Sequence, residues 1–138
     1  MEEILRQLAD QGRRTHVYAV IDTLEYLRRS GRMNRVVAGI GGVLRLKPIL
    51  KMHQGIATSE RVRTRGRAQD RLLELLELLG PIEQAALVHA HAPDRAAEMT
   101  RLAGSMLPPG EIPTVEITPV LGAHLGTDAV GFAVVTKA

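Results

Sequence analysis

A histidine framed by glycines is the first pattern in this sequence that could do chemistry. Gly122 and Gly126 bracket His124 near the end of the chain, between two apolar segments. Backbone N–H groups in glycine-rich turns can point at an anion, and an imidazole can donate a hydrogen bond to a carboxylate. A packed loop with a satisfied imidazole is the alternative, and the spacing leaves both interpretations open.

Two arginine clusters could also bind an anion. The first surrounds the turn at Ser30-Gly31 and consists of Arg28, Arg29, Arg32 and Arg35. The second recurs at every second position and consists of Arg61, Arg63, Arg65 and Arg67. The second cluster lies on one face if the segment is a strand; if Thr64 caps a helix, its last two members lie on the first helical turn. Guanidinium groups hold carboxylates and phosphates through two parallel donors, but a solvated basic face remains the alternative.

Signatures of catalysis are missing from the sequence. There is no GxxxxGK[ST] phosphate loop, no GxGxxG after a strand and no GxSxG nucleophile turn. His89 and His91 stand two residues apart at a predicted strand end, but a metal needs at least three ligands and no acidic residue completes a set. We expect one of these histidines to pack and the other to be solvated. The sequence predicts no enzyme; an activity on a phosphorylated or carboxylated small molecule is the weakest hypothesis.

Composition narrows the class of protein further. The 138 residues suffice for one domain, and the aromatic share of 2% argues against a base-stacking surface, so nucleic acid is an unlikely partner despite a pI near 9.8. Residues 1–71 hold 15 Lys/Arg and 7 Asp/Glu, whereas residues 72–138 hold 3 and 8. The absence of cysteine fits a reducing compartment, and we expect a cytoplasmic protein with no signal peptide and no membrane span.

The elements that must position these side chains follow from apolar periodicity. Predicted helices cover residues 2–11 (ended by Gly12), 23–29 (capped by Asp22), 37–44 (capped by Asn34), 65–79 (capped by Thr64), 93–106 and, as a helix or irregular turn, 120–125. Predicted strands cover residues 17–21, 49–52, 56–63, 85–90, 115–117 and 131–136. The order predicts an α/β fold with a single mixed β-sheet of about five to six strands packed by helices.

Four blocks of this sequence resemble a known family. Val20–Arg32 is similar to VDTLEYLxxGGR, Leu46–Leu50 to a KPIL strand, Arg61–Ala68 to K/RVRTxxKA, and Gly122–Gly126 to GxHxG. In this order and spacing they resemble the C-terminal domain of the DegV family of fatty-acid-binding proteins, across nearly all 138 residues.

The resemblance implies a non-enzymatic lipid carrier without a cofactor. Such a protein holds a long-chain fatty acid in a buried tunnel and presents its carboxyl group to a fatty acid kinase related to dihydroxyacetone kinase. His124 in its frame of Gly122 and Gly126 would lie near that carboxyl group. Arg32, also expected to bind the ligand, and Arg63 would lie near the kinase-facing mouth. Arg61 and Arg65 would join Arg63 in binding the partner.

The sequence also departs from the family pattern. The family carries a preceding domain that supplies hydroxyl groups for the carboxylate, so we expect this chain to be a single domain, residues 1–138, with the N-terminal DegV domain absent. Thr127-Asp128 replaces the usual Pro-Gly after GxHxG, and a carboxylate there repels an anionic ligand unless it pairs with His124 or an arginine. Ser30 replaces a glycine. A module for protein interaction or self-association, without lipid binding of its own, is the alternative function.

Overall fold

The structure is a computed structural model that describes residues 1–32 and 46–138, so the helix predicted over 37–44 lies outside the described residues. The helices are α1 (Glu2–Arg14), α2 (Glu25–Arg29), α3 (Arg65–Leu78), α4 (Pro93–Ala103) and α5 (Pro119–Leu125), with a 3₁₀ turn at Gly104–Met106. The strands are β1 (Thr15–Val20), β2 (Lys47–His53), β3 (Ile56–Val62), β4 (Ile82–His89), β5 (Thr114–Glu116) and β6 (Val130–Thr136).

The six strands form one mixed sheet in the order β3-β2-β1-β6-β4-β5. Every neighbouring pair is antiparallel except β4 and β5, which are parallel. The predicted fold class is therefore confirmed. Because β1 and β4 both run opposite to β6, the strands β1, β4 and β5 all finish at the same end of the sheet, here called the carboxyl end; the opposite end is the amino end.

One face of the sheet carries the main core. Phe132 and Leu87 on the central strands are fully buried, as are Leu72 and Leu76 of α3, and Met99 of α4 packs into the same cluster. The helical spacing of these apolar residues explains why α3 and α4 lie on this face, since burying a leucine or phenylalanine side chain stabilises the fold by about 1.5–3 kcal/mol. Thr64 caps α3 as predicted, because its hydroxyl accepts a hydrogen bond from the Arg67 N–H at 3.1 Å.

The other face of the sheet is lined by small apolar side chains. Strand pairing sets these residues side by side in two rows across β4, β6, β1 and β2. The rows are Val88, Gly131, Ala19 and Leu50, then Ala86, Ala133, Val17 and Met52. None of the eight belongs to the core cluster under α3 and α4. Leu50 is buried in a second cluster with Leu24 and with Leu27 of α2, whereas Val17, Ala86, Val88 and Ala133 are only half-buried. We call the eight residues the open face.

The prediction that Gly12 ends the first helix is wrong. α1 continues to Arg14, whose guanidinium joins Asp10 at 2.8 Å within the helix and Glu83 at 2.6 Å on β4. These ion pairs extend the last turn past the glycine. The apolar residues Ile4, Leu5 and Leu8 are each more than half exposed, so α1 is attached to the sheet mainly through its last turn.

Gly131 is the position where strands β6 and β1 tolerate no side chain. A Cβ there would lie 2.3 Å from the Tyr18 carbonyl oxygen and 2.6 Å from the Ala19 Cβ.

We expect Gly131→Ala to lower the free energy of unfolding by about 1–3 kcal/mol, because the strand pair must open to admit the methyl group. Urea unfolding measures this. The control is Gly66→Ala, where a Cβ meets no atom within 4 Å, and equal stability of Gly131→Ala and the wild type would contradict the packing.

Candidate functional site

A cleft of about 740 Å³ opens at the carboxyl end of the sheet. The ends of β4 and β5 form one wall, and α2, α5 and the turn after α5 form the other. Its lining residues are Tyr26, Ala90, His91, Glu116, Ile117, Thr118, Pro119, Gly122, Gly126 and Thr127. A crevice beyond the carboxyl ends of strands is a common place for ligand binding in α/β proteins, so this cleft is the candidate site.

The frame of the predicted histidine is a helix and not a loop. Pro119 begins α5, and the N–H groups of Gly122 and Gly126 donate to the carbonyls of Thr118 and Gly122 at 3.0 and 2.8 Å. The interpretation of this segment as a loop is therefore wrong, although the helical alternative for residues 120–125 is confirmed. The hydrogen bonds continue through Gly122 because Pro119 is preset for the first helical turn.

Gly126 allows the close contact between the end of α5 and α2. Its φ is +79°, and a Cβ on Gly126 would lie 2.3 Å from the Tyr26 ring. Both residues line the cleft. A glycine is required here for conformation and for space, which gives this part of the GxHxG pattern a structural cause.

His124 has an unusual environment within α5. Its side chain is half-buried, and Nδ1 is buried without a hydrogen-bond partner in the described part of the chain. A buried polar atom that lacks a partner costs about 1–3 kcal/mol, so its presence calls for an explanation. His124 does not line the cleft itself, whereas Gly122 and Gly126 on either side of it do.

The predicted arginines lie away from the cleft lining. Arg32 is exposed after α2, and its guanidinium donates to the Ser30 carbonyl at 2.9 Å. Arg61 is on β3, Arg63 follows that strand, and Arg65 is the first residue of α3; all three are exposed. Thus the every-second-residue pattern crosses from strand to helix at Thr64. In residues 1–32 and 46–138, neither Arg61 nor Arg63 has an ion-pair partner.

Asp22 joins elements that the sequence reading kept apart. Its Oδ1 accepts from Arg65 Nη2 at 2.8 Å and from Lys47 Nζ at 3.1 Å. The prediction that Asp22 caps α2 is wrong: the Thr23 hydroxyl accepts from the Glu25 N–H instead, at 3.2 Å. Burial raises the pKa of Asp22, but the bonds from Arg65 and Lys47 outweigh burial and hold the pKa below its ordinary value.

Asp128 is also tied to this end of the sheet by an arginine. Its φ is +67°, a conformation that glycine adopts freely and that aspartate tolerates better than most residues. The half-buried Arg95 guanidinium donates to the Asp128 carbonyl, and the Asp128 N–H donates to Ala90 O at 2.8 Å. Burial, with nearby Arg65 adding repulsion, lowers the pKa of Arg95. Sequence reasoning missed Arg95, because no local pattern relates it to the turn 33 positions later.

The two histidines at the end of β4 separate as expected. His89 is buried, and its Nδ1 accepts from the Ala92 N–H at 3.2 Å. His91 is exposed and lies 2.9 Å from Glu116 Oε1, a contact that lowers the pKa of the Glu116 carboxyl. Among the residues that the structure describes, no group of three or more His, Cys, Asp or Glu side chains could hold a metal ion. His91 and Glu116 place a polar pair on the cleft wall.

The fold and the cleft define the class of protein: a single-sheet α/β domain with a ligand-sized cleft at the carboxyl end of its strands. A family model described as "Uncharacterised protein, DegV family" matches residues 1–137. The chain belongs to the DegV family, and the predicted resemblance is confirmed. In the described ranges, no helix has the length and apolar character needed to cross a bilayer.

Relatives with known names and structures support the same assignment. Protein DegV of Bacillus subtilis is 33% identical over 134 residues, which cover 94% of this chain and 48% of the relative. A DegV domain-containing protein of Streptomyces coelicolor is 35% identical over 127 residues, covering 89% and 45%. The chain spans about half the length of the relatives it matches.

Two solved structures have the same fold. DegV of Bacillus subtilis, described as a fatty acid binding protein, matches with a TM-score of 0.80 and 31% identity, covering 99% of this chain and 50% of that one. A fatty acid binding DegV family protein of Streptococcus agalactiae matches with a TM-score of 0.84 and 26% identity, covering 100% and 50%.

Arg95 should hold the turn after α5 in place. We expect Arg95→Met to speed hydrogen exchange at the Asp128 amide about tenfold, since a hydrogen bond from a charged donor contributes at least that factor. Exchange followed by NMR or mass spectrometry measures this. Arg101→Met, which removes an exposed ion pair with Glu98 on the same helix, is the matched control. Unchanged exchange at Asp128 would show that Arg95 does not support the turn.

Proposed function

We propose that this domain binds a long-chain fatty acid and forms one wall of its binding site. The observation that carries the proposal is the open face, an apolar sheet surface that leads into the cleft at the carboxyl end. Val88 lies on this face near the end of β4, and Ala90, the first residue after that strand, lines the cleft. The fatty acid binding described for the Bacillus and Streptococcus relatives supports the same ligand.

The chemistry of the open face suits an acyl chain. Its side chains are small and apolar, so they leave a shallow trough and no hydrogen-bonding groups to satisfy. A strand of six residues spans about 20 Å, which is comparable with an extended long-chain fatty acid. Each methylene that leaves water against such a surface contributes about 0.8 kcal/mol. The trough therefore favours long chains over short ones.

The carboxylate end of the ligand belongs near α5 in this proposal. His124 offers a buried nitrogen that has no hydrogen-bond partner among the described residues. Gly122 and Gly126 bring backbone close to the cleft, and Arg32 adds a cation near α2. The Asp128 carboxylate, which would repel the ligand, stands in the field of Arg65 and Arg95. Arginines therefore offset the unfavourable charge that replaces the usual glycine.

The domain acts as a carrier and not as an enzyme in this proposal. Arg61, Arg63 and Arg65 form an exposed cationic strip beside the cleft end of the sheet, which suits an acidic surface on a cytoplasmic fatty acid kinase. Arg61 and Arg63, which form no ion pair with any residue that the structure describes, are available to a partner. The part of the relatives that this chain does not span would complete the tunnel over the open face.

Self-association without lipid binding is the second candidate. The exposed apolar side chains of Ile4, Leu5 and Leu8 on α1 favour it, because contiguous apolar surface in water promotes association. This candidate uses a surface that the fatty acid does not need. If the average molecular mass in solution rises with protein concentration and no acyl labelling is found, self-association is favoured over the carrier function.

Photoaffinity labelling tests the proposed function even where affinity is low. The purified chain is irradiated with palmitic acid that carries a diazirine in mid-chain, and labelled residues are mapped by mass spectrometry. We expect labelling on β1, β4 and β6 at open-face positions, with loss of that labelling in Ala133→Asp, which places a charge in the trough. Excess palmitate should compete, whereas octanoate should compete far less.

The matched control is Gln84→Asp, at the exposed amino end of the same face. This substitution should leave labelling unchanged, because Gln84 is already polar and we do not expect the acyl chain to lie over it. Labelling spread over α3 and α4, or unaffected by Ala133→Asp, would overturn the proposal.

A further inference from the structure

A second cleft, of about 500 Å³, lies at the amino end of the open face. It separates α1 from the β2–β3 hairpin. Its lining residues are Ala9, Gly12, Arg13, Thr15, Val17, Met52, His53, Gln54 and Gly55. Val17 and Met52 are paired across β1 and β2, and both belong to the open face. The second cleft therefore opens onto the amino end of the open face.

The two clefts mark the two ends of one apolar path. From Ala90 in the first cleft, the path crosses Val88 on β4 and Ala133 on β6, and it reaches Val17 in the second cleft. Alternation along the strands places these side chains on one face. A ligand with its polar head in the first cleft and an extended apolar body would point its far end at the second.

Gly12 is the least expected residue in the second cleft. It lies inside α1, where glycine destabilises a helix relative to alanine. No neighbour requires its small size, since a Cβ at this position would meet no atom within 4 Å. Its φ is not positive either, so the backbone does not demand glycine. What the glycine, together with Ala9 one turn earlier, does provide is open space on the cleft side of α1.

Met52 gives the cleft an adaptable apolar wall. Its side chain is 42% exposed near the end of β2, two residues after the buried Leu50. An unbranched thioether side chain adjusts to ligands of different shape, which is why methionine is frequent in adaptable binding surfaces. Arg13, His53 and Gln54 also line the cleft, and we call these three polar side chains its polar rim.

We infer that the second cleft, between Gly12 of α1 and Met52 of β2, receives the methyl end of the acyl chain and sets the preferred chain length. This inference rests on the proposed fatty acid function and extends it to a tail subsite. A chain that ends short of Val17 leaves the cleft to water, and a chain that reaches it buries its last methylenes, each worth about fourfold in Kd. Chains longer than the cleft would meet the polar rim.

Filling the cleft tests the inference. Kd values for lauric, myristic, palmitic and stearic acid are measured on the purified chain by competition with a fluorescent fatty acid. We expect Gly12→Leu to weaken stearic acid about tenfold relative to lauric acid, on the order of two methylenes displaced from the cleft. Gly12→Ala, which adds one methyl group and favours the helix, should change the stearic to lauric ratio by less than about fourfold.

Gln7→Leu places the same side chain on the same helix but outside the lining of the second cleft, and should leave the ratio unchanged. Circular dichroism and urea unfolding establish that each variant is folded. If Gly12→Leu weakens all four acids equally, or none, while the wild type binds them, the tail subsite is wrong and the carrier function stands. If the wild type binds none of the acids, the proposed function fails, and the inference fails with it.

Discussion

A sheet that is apolar on both faces, with α3 and α4 packed on only one of them, is the constraint that shapes this domain. α3 and α4 bury Phe132 and Leu87 on the core face, and this burial supplies most of the stabilisation that a domain of 138 residues can draw from one core. On the open face Leu50 packs against α2, whereas Val88 and Ala133 remain half-buried among the described residues. An apolar surface of this kind calls for an apolar occupant, and a long acyl chain meets that requirement with few polar groups to desolvate.

Charged side chains fix the carboxyl end of the sheet, where the first cleft opens. Asp22 joins the end of β1 to the start of β2 through Lys47 and to the start of α3 through Arg65. Arg95 joins α4 to the turn before β6. The contacts of Lys47 and Arg95 are partly shielded from water, which strengthens them relative to exposed ion pairs, whereas Arg65 is more exposed. Together they help to define the separation of the elements around the cleft. The anion-binding potential of this end follows from the surplus of guanidinium groups over carboxylates in the same place.

Local patterns in the sequence predicted local structure well. The spacing of Leu72 and Leu76 predicted α3, and the threonine before it predicted the cap that Thr64 forms. The turn at Gln54-Gly55 predicted the β2–β3 hairpin, and the glycine frame of His124 marked residues that line the cleft. The DegV resemblance could be found from one sequence because it rests on four short blocks in the order and spacing of the family.

Contacts between residues that are far apart in the sequence could not be predicted from local patterns. Asp22 has the position of a helix cap, but its partners lie 25 and 43 residues away, and their two charges outcompete a single backbone N–H. Gly12 resembles a helix terminator, yet ion pairs from Arg14 to Asp10 and to Glu83 on another strand extend the helix beyond it. The open face could not be predicted from the sequence, because its two rows of side chains arise only from the register of four strands. The orphaned Nδ1 of His124 depends on how α5 packs, which periodicity does not specify.

Intermolecular NOEs between palmitic acid and methyl-labelled protein test the central claim most directly. The account predicts NOEs from the middle of the acyl chain to the methyl groups of Val17, Val88 and Ala133 on the open face. NOEs confined to apolar side chains elsewhere on the surface, such as the exposed Leu78 at the end of α3, would contradict it.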